Sequence, residues 1–268
     1  MIAKSEISLS DAFYSAEEPF LIFEIDNFFS EDFYNRLYDS FPEEELFTKE
    51  YLDKGKKKYI SSKDKAFENI INSQKAWCEL KNFFLESDTV NSFFNIYLRG
   101  VQGRPIYHRF KWKVIPQPSN NKSFLYSAIK KARRILAHLK GETLVYMALE
   151  FSFLKDKCYI PPHTDVSSKL ISLLVYFPDK DHHYSSGGTE FYISKKGKKT
   201  QYGWKAHMLN NIDTDKFFDV HESFYVANFT KNKLVGFVKT AYSWHGLRPI
   251  NLPQGVSRKS IGINYYLY

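Results

Sequence analysis

From residue 142 onward the chain is written in short apolar stretches, 143–153, 170–177, 188–194, 221–229, 234–244 and 258–267, separated by turns rich in Gly, Pro, Asp and Lys. Serial short strands of this kind are built into facing sheets, as a sandwich or a jelly roll. Upstream the period changes. Residues 20–29 read as a strand, and Ser30 is placed to cap a helix with Glu31 and Asp32 in its first turn, where carboxylates favour the helix dipole. Leu37, Tyr38 and Phe41 extend the apolar face of that helix, and Pro42 ends it. Residues 43–72 are polar and weakly patterned, and read as strands and loops around Tyr59 and Ile60. Trp77, Leu80, Phe83 and Phe84 recur at helical spacing within 74–99, and a second helix follows from Val90 to Leu98. Residues 104–115 alternate as a strand does, and a loop runs from Pro116 to Asn121. Ser123–Leu139 reads as a basic amphipathic helix that Gly141 terminates. The expected class is α+β: N-terminal helices packed on one sheet of a C-terminal β core. No linker and no repeat of fixed period divides the 268 residues, so one domain is expected, with 1–141 as helical support and first strands and 142–268 as the core.

Composition narrows the function classes. Aromatic residues make up 18% of the chain, but they are spread along its whole length, which suits a pleated core better than a base-stacking platform. The net charge of +8 is concentrated at Lys54–Lys58, Lys130–Arg134 and Lys195–Lys199. None of these clusters interleaves with aromatics as nucleic-acid modules do, so they read as solvated turns and a helix face, and nucleic acid is disfavoured as a partner. Cys78 and Cys158 form neither a disulfide framework nor a zinc knuckle, and a reducing compartment is expected. With no apolar run of membrane-spanning length and no apolar leader at Met1–Glu6, the expected location is cytoplasmic, without a membrane partner.

One constellation carries chemistry. His163 and Asp165 are two apart, so on an extended strand both side chains leave the same face. Pro161-Pro162 keeps the approach extended. His245, on a strand read as 236–245, can close the triangle from a facing sheet. Two imidazoles and a carboxylate hold a divalent first-row metal by one face and leave the other open, the arrangement of non-haem Fe(II) oxygenases. Each of these residues alone has a bland reading, as a surface or packing residue. Arg258, 13 residues after His245, and Ser260 on the same strand face add to the set: a guanidinium fork and a hydroxyl suit a carboxylate, and a cation inside a β core is costly without an anionic partner.

With these residues in place, the chain resembles the Fe(II)- and 2-oxoglutarate-dependent dioxygenases, especially their prolyl-hydroxylase-like branch. The resemblance rests on five stretches: Phe23–Ser30, Ile160–Asp165, Leu170–Phe177 with Gly187–Phe191, Ser243–Leu247, and Arg258–Ile261 running into Tyr265-Tyr266. It implies a double-stranded β-helix (jelly-roll, cupin-like) core. It implies iron held by His163, Asp165 and His245 as the catalytic centre, and 2-oxoglutarate with its distal carboxylate on Arg258 and Ser260, with Tyr176 near the place where relatives put a carboxylate-binding tyrosine. Ascorbate is the supporting reductant the family suggests. The implied reaction consumes O2 and 2-oxoglutarate, releases succinate and CO2, and hydroxylates a C–H bond of a small molecule or a protein side chain. Related halogenases lack the carboxylate, so Asp165 favours hydroxylation. Two other readings compete: a nucleic-acid demethylase of the same superfamily, and a non-catalytic cupin-like binding or sensor protein. His182-His183, His207 and His221 read as carrying no role. Arg248 suits the mouth of the site and a surface ion pair equally, and the long segment 195–220, with Tyr202 and Trp204, reads as a lid or binding loop.

Overall fold

The computed structural model describes residues 13–51, 57–101, 110–118, 124–179, 186–195 and 211–268. Its helices are α1 (Glu31–Asp39), α2 (Lys65–Ser73), α3 (Lys75–Phe83), α4 (Ser87–Gly100), α5 (Phe124–Leu139) and α6 (Asn211–Val220). The early strands are β1 (Phe13–Ala16), β2 (Ile22–Ile25), β3 (Lys49–Tyr51), β4 (Lys57–Ser61) and β5 (Lys111–Val114). The later ones are β6 (Glu142–Leu154), β7 (Ile160–His163), β8 (Lys169–Phe177), β9 (Thr189–Ser194), β10 (His221–Ala227), β11 (Leu234–Val238), β12 (His245–Leu247) and β13 (Arg258–Leu267). They form an α+β architecture with two sheets. The larger has the order β1-β2-β11-β8-β13-β6-β4-β3, with β5 also pairing to β6; the smaller has the order β10-β9-β12-β7. No helix among the described residues is long and apolar enough to cross a membrane.

Alternation along the strands sorts the large sheet into two unlike faces, because successive side chains leave a strand on opposite sides. On β13, Ile261, Ile263 and Tyr265 join the main core; on β6, Val145 to Phe153 do so at every second position; on β8, Ile171, Leu173, Val175 and Phe177 do. Helices α1, α3 and α4 cover this face with Phe33, Leu37, Trp77, Leu80, Phe93 and Tyr97. The intervening residues of the same strands, Ser152, Ser172, Arg258, Ser260 and Asn264, line a cavity on the opposite face. The small sheet closes over that face. Phe191, Ala227 and Phe229 pack there against Ile22, Tyr176, Val235 and Phe237.

Several expected elements have other bounds, each for a local reason. In 20–29 only Ile22–Ile25 pairs as a strand, because Asn27 turns the chain at φ 49°. Ser30 caps α1 by accepting from the Phe33 amide, and the helix stops at Asp39, before Phe41. Part of 43–72 is a helix, α2: Phe67, Ile70 and Ile71 are buried on one stripe, the i, i+3, i+4 spacing of a short amphipathic helix. The strand expected over 104–115 is described only as Lys111–Val114. The strand read through to His245 ends at Val238. Beyond it Ser243 Oγ bonds to both the amide and the carbonyl of Thr240, and the Thr240 hydroxyl accepts from the Tyr242 amide. These side-chain bonds replace the ladder, and the chain leaves the large sheet to enter the small one as β12. Segment 195–220 ends in α6. Lys54–Lys56, Lys196–Lys199, Tyr202, Trp204, His182, His183 and His207 lie outside the described residues.

Candidate active site

His163 ends β7 and His245 begins β12. These antiparallel strands place the two residues directly opposite each other, with ring centroids 4.2 Å apart. Asp165 is not on the strand. β7 stops at His163, and the following turn swings Asp165 towards β8. There Lys169 Nζ donates to its Oδ1 at 2.7 Å and Ser172 Oγ to its Oδ2 at 3.0 Å. One ligand atom from each of His163, Asp165 and His245 lies within 4.8 Å of the other two.

The donor chemistry follows from what surrounds these atoms. Each imidazole Nδ1 sits 2.9 Å from a backbone carbonyl, Pro161 for His163 and Ser243 for His245. A carbonyl only accepts, so Nδ1 carries the proton and Nε2 is left with its lone pair. Burial lowers the pKa of His163, and pushes that of His245 down to about 3, so both rings are neutral. Burial opposes ionisation of Asp165, but the Lys169 ammonium holds the carboxyl well below the usual range. Two neutral nitrogens and one anionic oxygen facing a common point fit a divalent first-row metal.

Arg258 opens β13 and is buried, 2% exposed. Its Nε donates to the Gly187 carbonyl at 2.6 Å and its Nη1 to Ser260 Oγ at 3.2 Å. Its guanidinium lies over the rings of Tyr176 and Phe229, 5.1 and 5.5 Å from their centroids. Burial pushes its pKa down, with Tyr176 supporting the charge. Among the described residues no carboxylate lies within ion-pairing distance of it. An isolated buried cation costs several kcal/mol, and among the described residues no anion offsets it. Tyr176 stands opposite Ser260 across the β8–β13 ladder. Its hydroxyl is 2.6 Å from Thr189 Oγ1, so it backs the guanidinium instead of facing the open space.

A cavity of about 330 Å³ runs between the sheets, lined by His163, Asp165 and His245 and by Arg258, Ser260 and Gly262. It is also lined by residues that sequence reasoning missed: Lys57, Glu150, Lys169, Ser172, Asn264 and Tyr266. A signal for Ser172 and Asn264 was present, since each is a single polar residue inside an apolar strand. Lys57 and Glu150 form an ion pair of 2.5 Å across β4 and β6, which only the tertiary pairing creates. The other candidates lie elsewhere. Arg248 pairs with Glu190 at 3.0 Å and stacks over Phe218. His221 stacks on Phe217, with centroids 4.0 Å apart, and its Nδ1 meets the Phe217 carbonyl.

No family model and no curated protein matches the sequence. Among solved structures, the chain is similar to a prolyl-4-hydroxylase from Pseudomonas putida, at 10% identity and a TM-score of 0.42 over 93% of this chain and 94% of that one. It is similar to the non-heme alpha ketoglutarate dependent carbocyclase SnoK from nogalamycin biosynthesis, at 11% identity and a TM-score of 0.49 over 91% and 79%. It is also similar to a Trichoplax adhaerens prolyl hydroxylase solved with a hypoxia inducible factor peptide fragment, at 11% identity and a TM-score of 0.30 over 53% and 54%. At these identities and TM-scores the likenesses carry no argument about chemistry.

Proposed function

We propose that this protein is an Fe(II)- and 2-oxoglutarate-dependent oxygenase that hydroxylates a C–H bond of a small molecule or a protein side chain. The observation that carries the reading is the buried Arg258, with no carboxylate partner among the described residues, in the same cavity as His163, Asp165 and His245. A non-catalytic binding protein would need the metal face or the anion clamp, but has no use for the two together. The fold reading agrees with this. In chain order β6 to β13 fall in the large, small, large, small, small, large, small and large sheet, the alternation of a double-stranded β-helix.

His163, Asp165 and His245 would hold Fe(II), and Arg258 with Ser260 would hold the distal carboxylate of 2-oxoglutarate by a charge-assisted fork. The chemistry supplied by this pair when bound is oxidative decarboxylation of the oxo acid by O2, giving succinate, CO2 and the oxidising power to hydroxylate a substrate C–H bond. The chain does the rest. The Pro161 and Ser243 carbonyls fix both imidazole tautomers, and Lys169 and Ser172 orient the Asp165 carboxylate. Tyr176 and Phe229 hold the guanidinium plane, and Gly262 leaves the cavity wall between Ser260 and Asn264 without a side chain.

The test is anaerobic addition of Fe(II) and 2-oxoglutarate, read as the visible charge-transfer band of the iron-bound oxo acid. The wild-type chain should give the band and, on admission of air, succinate. His163→Ala and His245→Ala should each abolish both. A wild-type protein that gives neither band nor succinate would falsify the oxygenase reading.

A further inference from the structure

Helix α5 presents its apolar side outward. Ile129, Ile135, Leu136 and Leu139 fall on one stripe at helical spacing, yet they are 44%, 52%, 59% and 77% exposed. On the side that meets the protein, Ala137 is buried against Leu144 and Tyr268, and Lys130 lies over the Tyr268 ring. Cations border the stripe along both margins, Lys131 on one, Arg133 and Lys140 on the other. From Phe124 to Lys140 there is no Asp or Glu. Among the described residues no carboxylate ion-pairs with Lys131, Arg133 or Arg134.

We propose that α5 docks this protein on an anionic phospholipid surface, with the Ile129–Leu139 stripe in the acyl boundary and the flanking cations on the headgroups. An apolar stripe with cations along both edges matches a flat surface whose apolar layer lies beneath an anionic one. A second copy of the chain is the wrong occupant, because two α5 helices face to face would oppose their cations. The net charge of +8 adds long-range attraction to the same surface. The placement also bears on the cavity: Tyr146, packed against the cluster that anchors α5, stacks on Tyr266 with centroids 5.1 Å apart, and Tyr266 lines the cavity.

The experiment is co-sedimentation of the full chain with phosphatidylcholine vesicles, with and without phosphatidylserine. Partition onto the phosphatidylserine vesicles is expected to be about tenfold stronger or more, and to fall in high salt. Leu136→Glu/Leu139→Glu and Lys131→Glu/Arg133→Glu should each abolish it with no change in melting temperature, since all four positions are exposed. Equal partition onto both vesicles, no partition, or partition unchanged in either variant overturns the proposal. So does an oligomer in solution that dissociates in Leu136→Glu/Leu139→Glu, which would assign the stripe to a second copy.

Discussion

At the scale of single residues, Arg258 reports most directly on the ligand. Its charge is buried at 2% exposure against a carbonyl, a hydroxyl and two rings, which leaves the fork free to take a carboxylate. Truncating one member of a buried charge pair costs about 2 kcal/mol or more. Arg258→Ala should therefore raise the 2-oxoglutarate concentration that half-saturates the anaerobic band by roughly 30-fold or more, while Fe(II) binding measured without the oxo acid stays as it is. An unchanged 2-oxoglutarate requirement would remove Arg258 from the clamp. Arg258 and Ser260 were legible in the sequence because they are two apart on one strand, where period alone puts them on the same face. Lys169 and Ser172 were not, because their contact with Asp165 depends on the turn after β7 folding back over β8. The i, i+2 argument paired His163 with Asp165 through a shared strand face; the structure brings the two together another way, through the turn after β7.

At the scale of elements, the pairing of β7 with β12 sets the distance between the two histidines. Gly246 makes that pairing close. A Cβ there would lie 2.7 Å from the Ile160 carbonyl and 3.2 Å from the Pro162 nitrogen, both backbone atoms of β7 that cannot rotate away. Gly246→Ala should force the strands apart beside His245, lowering Fe(II) affinity about tenfold or more and lowering the melting temperature. The readout is Fe(II) titration at a temperature where circular dichroism shows the variant folded. Wild-type affinity in the folded variant would mean that β12 does not set the ligand spacing. The residues of β12 were legible, but its separation from β11 was not. Apolar residues resume after Lys239-Thr240 and so read as one strand through His245; the interruption comes from hydrogen bonds among Thr240, Tyr242 and Ser243.

At the scale of the whole molecule, the aromatic core makes its own prediction. Burial raises the pKa of Tyr34, Tyr192 and Tyr265 far above the ordinary value, and pushes Tyr225 up to about 12. Tyr34 and Tyr265 also donate to the carbonyls of Tyr176 and Phe84, which requires that they keep their protons. In the unfolded chain these phenols ionise near pH 10. Above that pH the unfolded state has lost protons that the folded state retains, so folding stability must fall as pH rises. The loss approaches about 1.4 kcal/mol per pH unit for each such tyrosine. Denaturant midpoints should be flat approaching about pH 10 and fall from there to about pH 12, in step with the phenolate absorbance released on unfolding. A midpoint that stays level through that window would contradict the burial of these hydroxyls.

The sequence by itself determined which segments are helices and which are strands wherever a period ran long enough to read, and it singled out His163, Asp165 and His245, because chemistry restricts a metal face to a few residue types. It also determined that α5 is amphipathic. Only the tertiary structure decided which way each face turns. Large-sheet alternation gives one apolar and one polar face whichever side is covered, and only the packing of α1, α3 and α4 on the apolar side leaves Ser152, Ser172 and Arg258 facing the small sheet. For α5 the same freedom has the opposite result. Ala137 packs with Leu144 and Tyr268, on the side of the helix away from the stripe, and Ile129, Ile135, Leu136 and Leu139 stay in solvent.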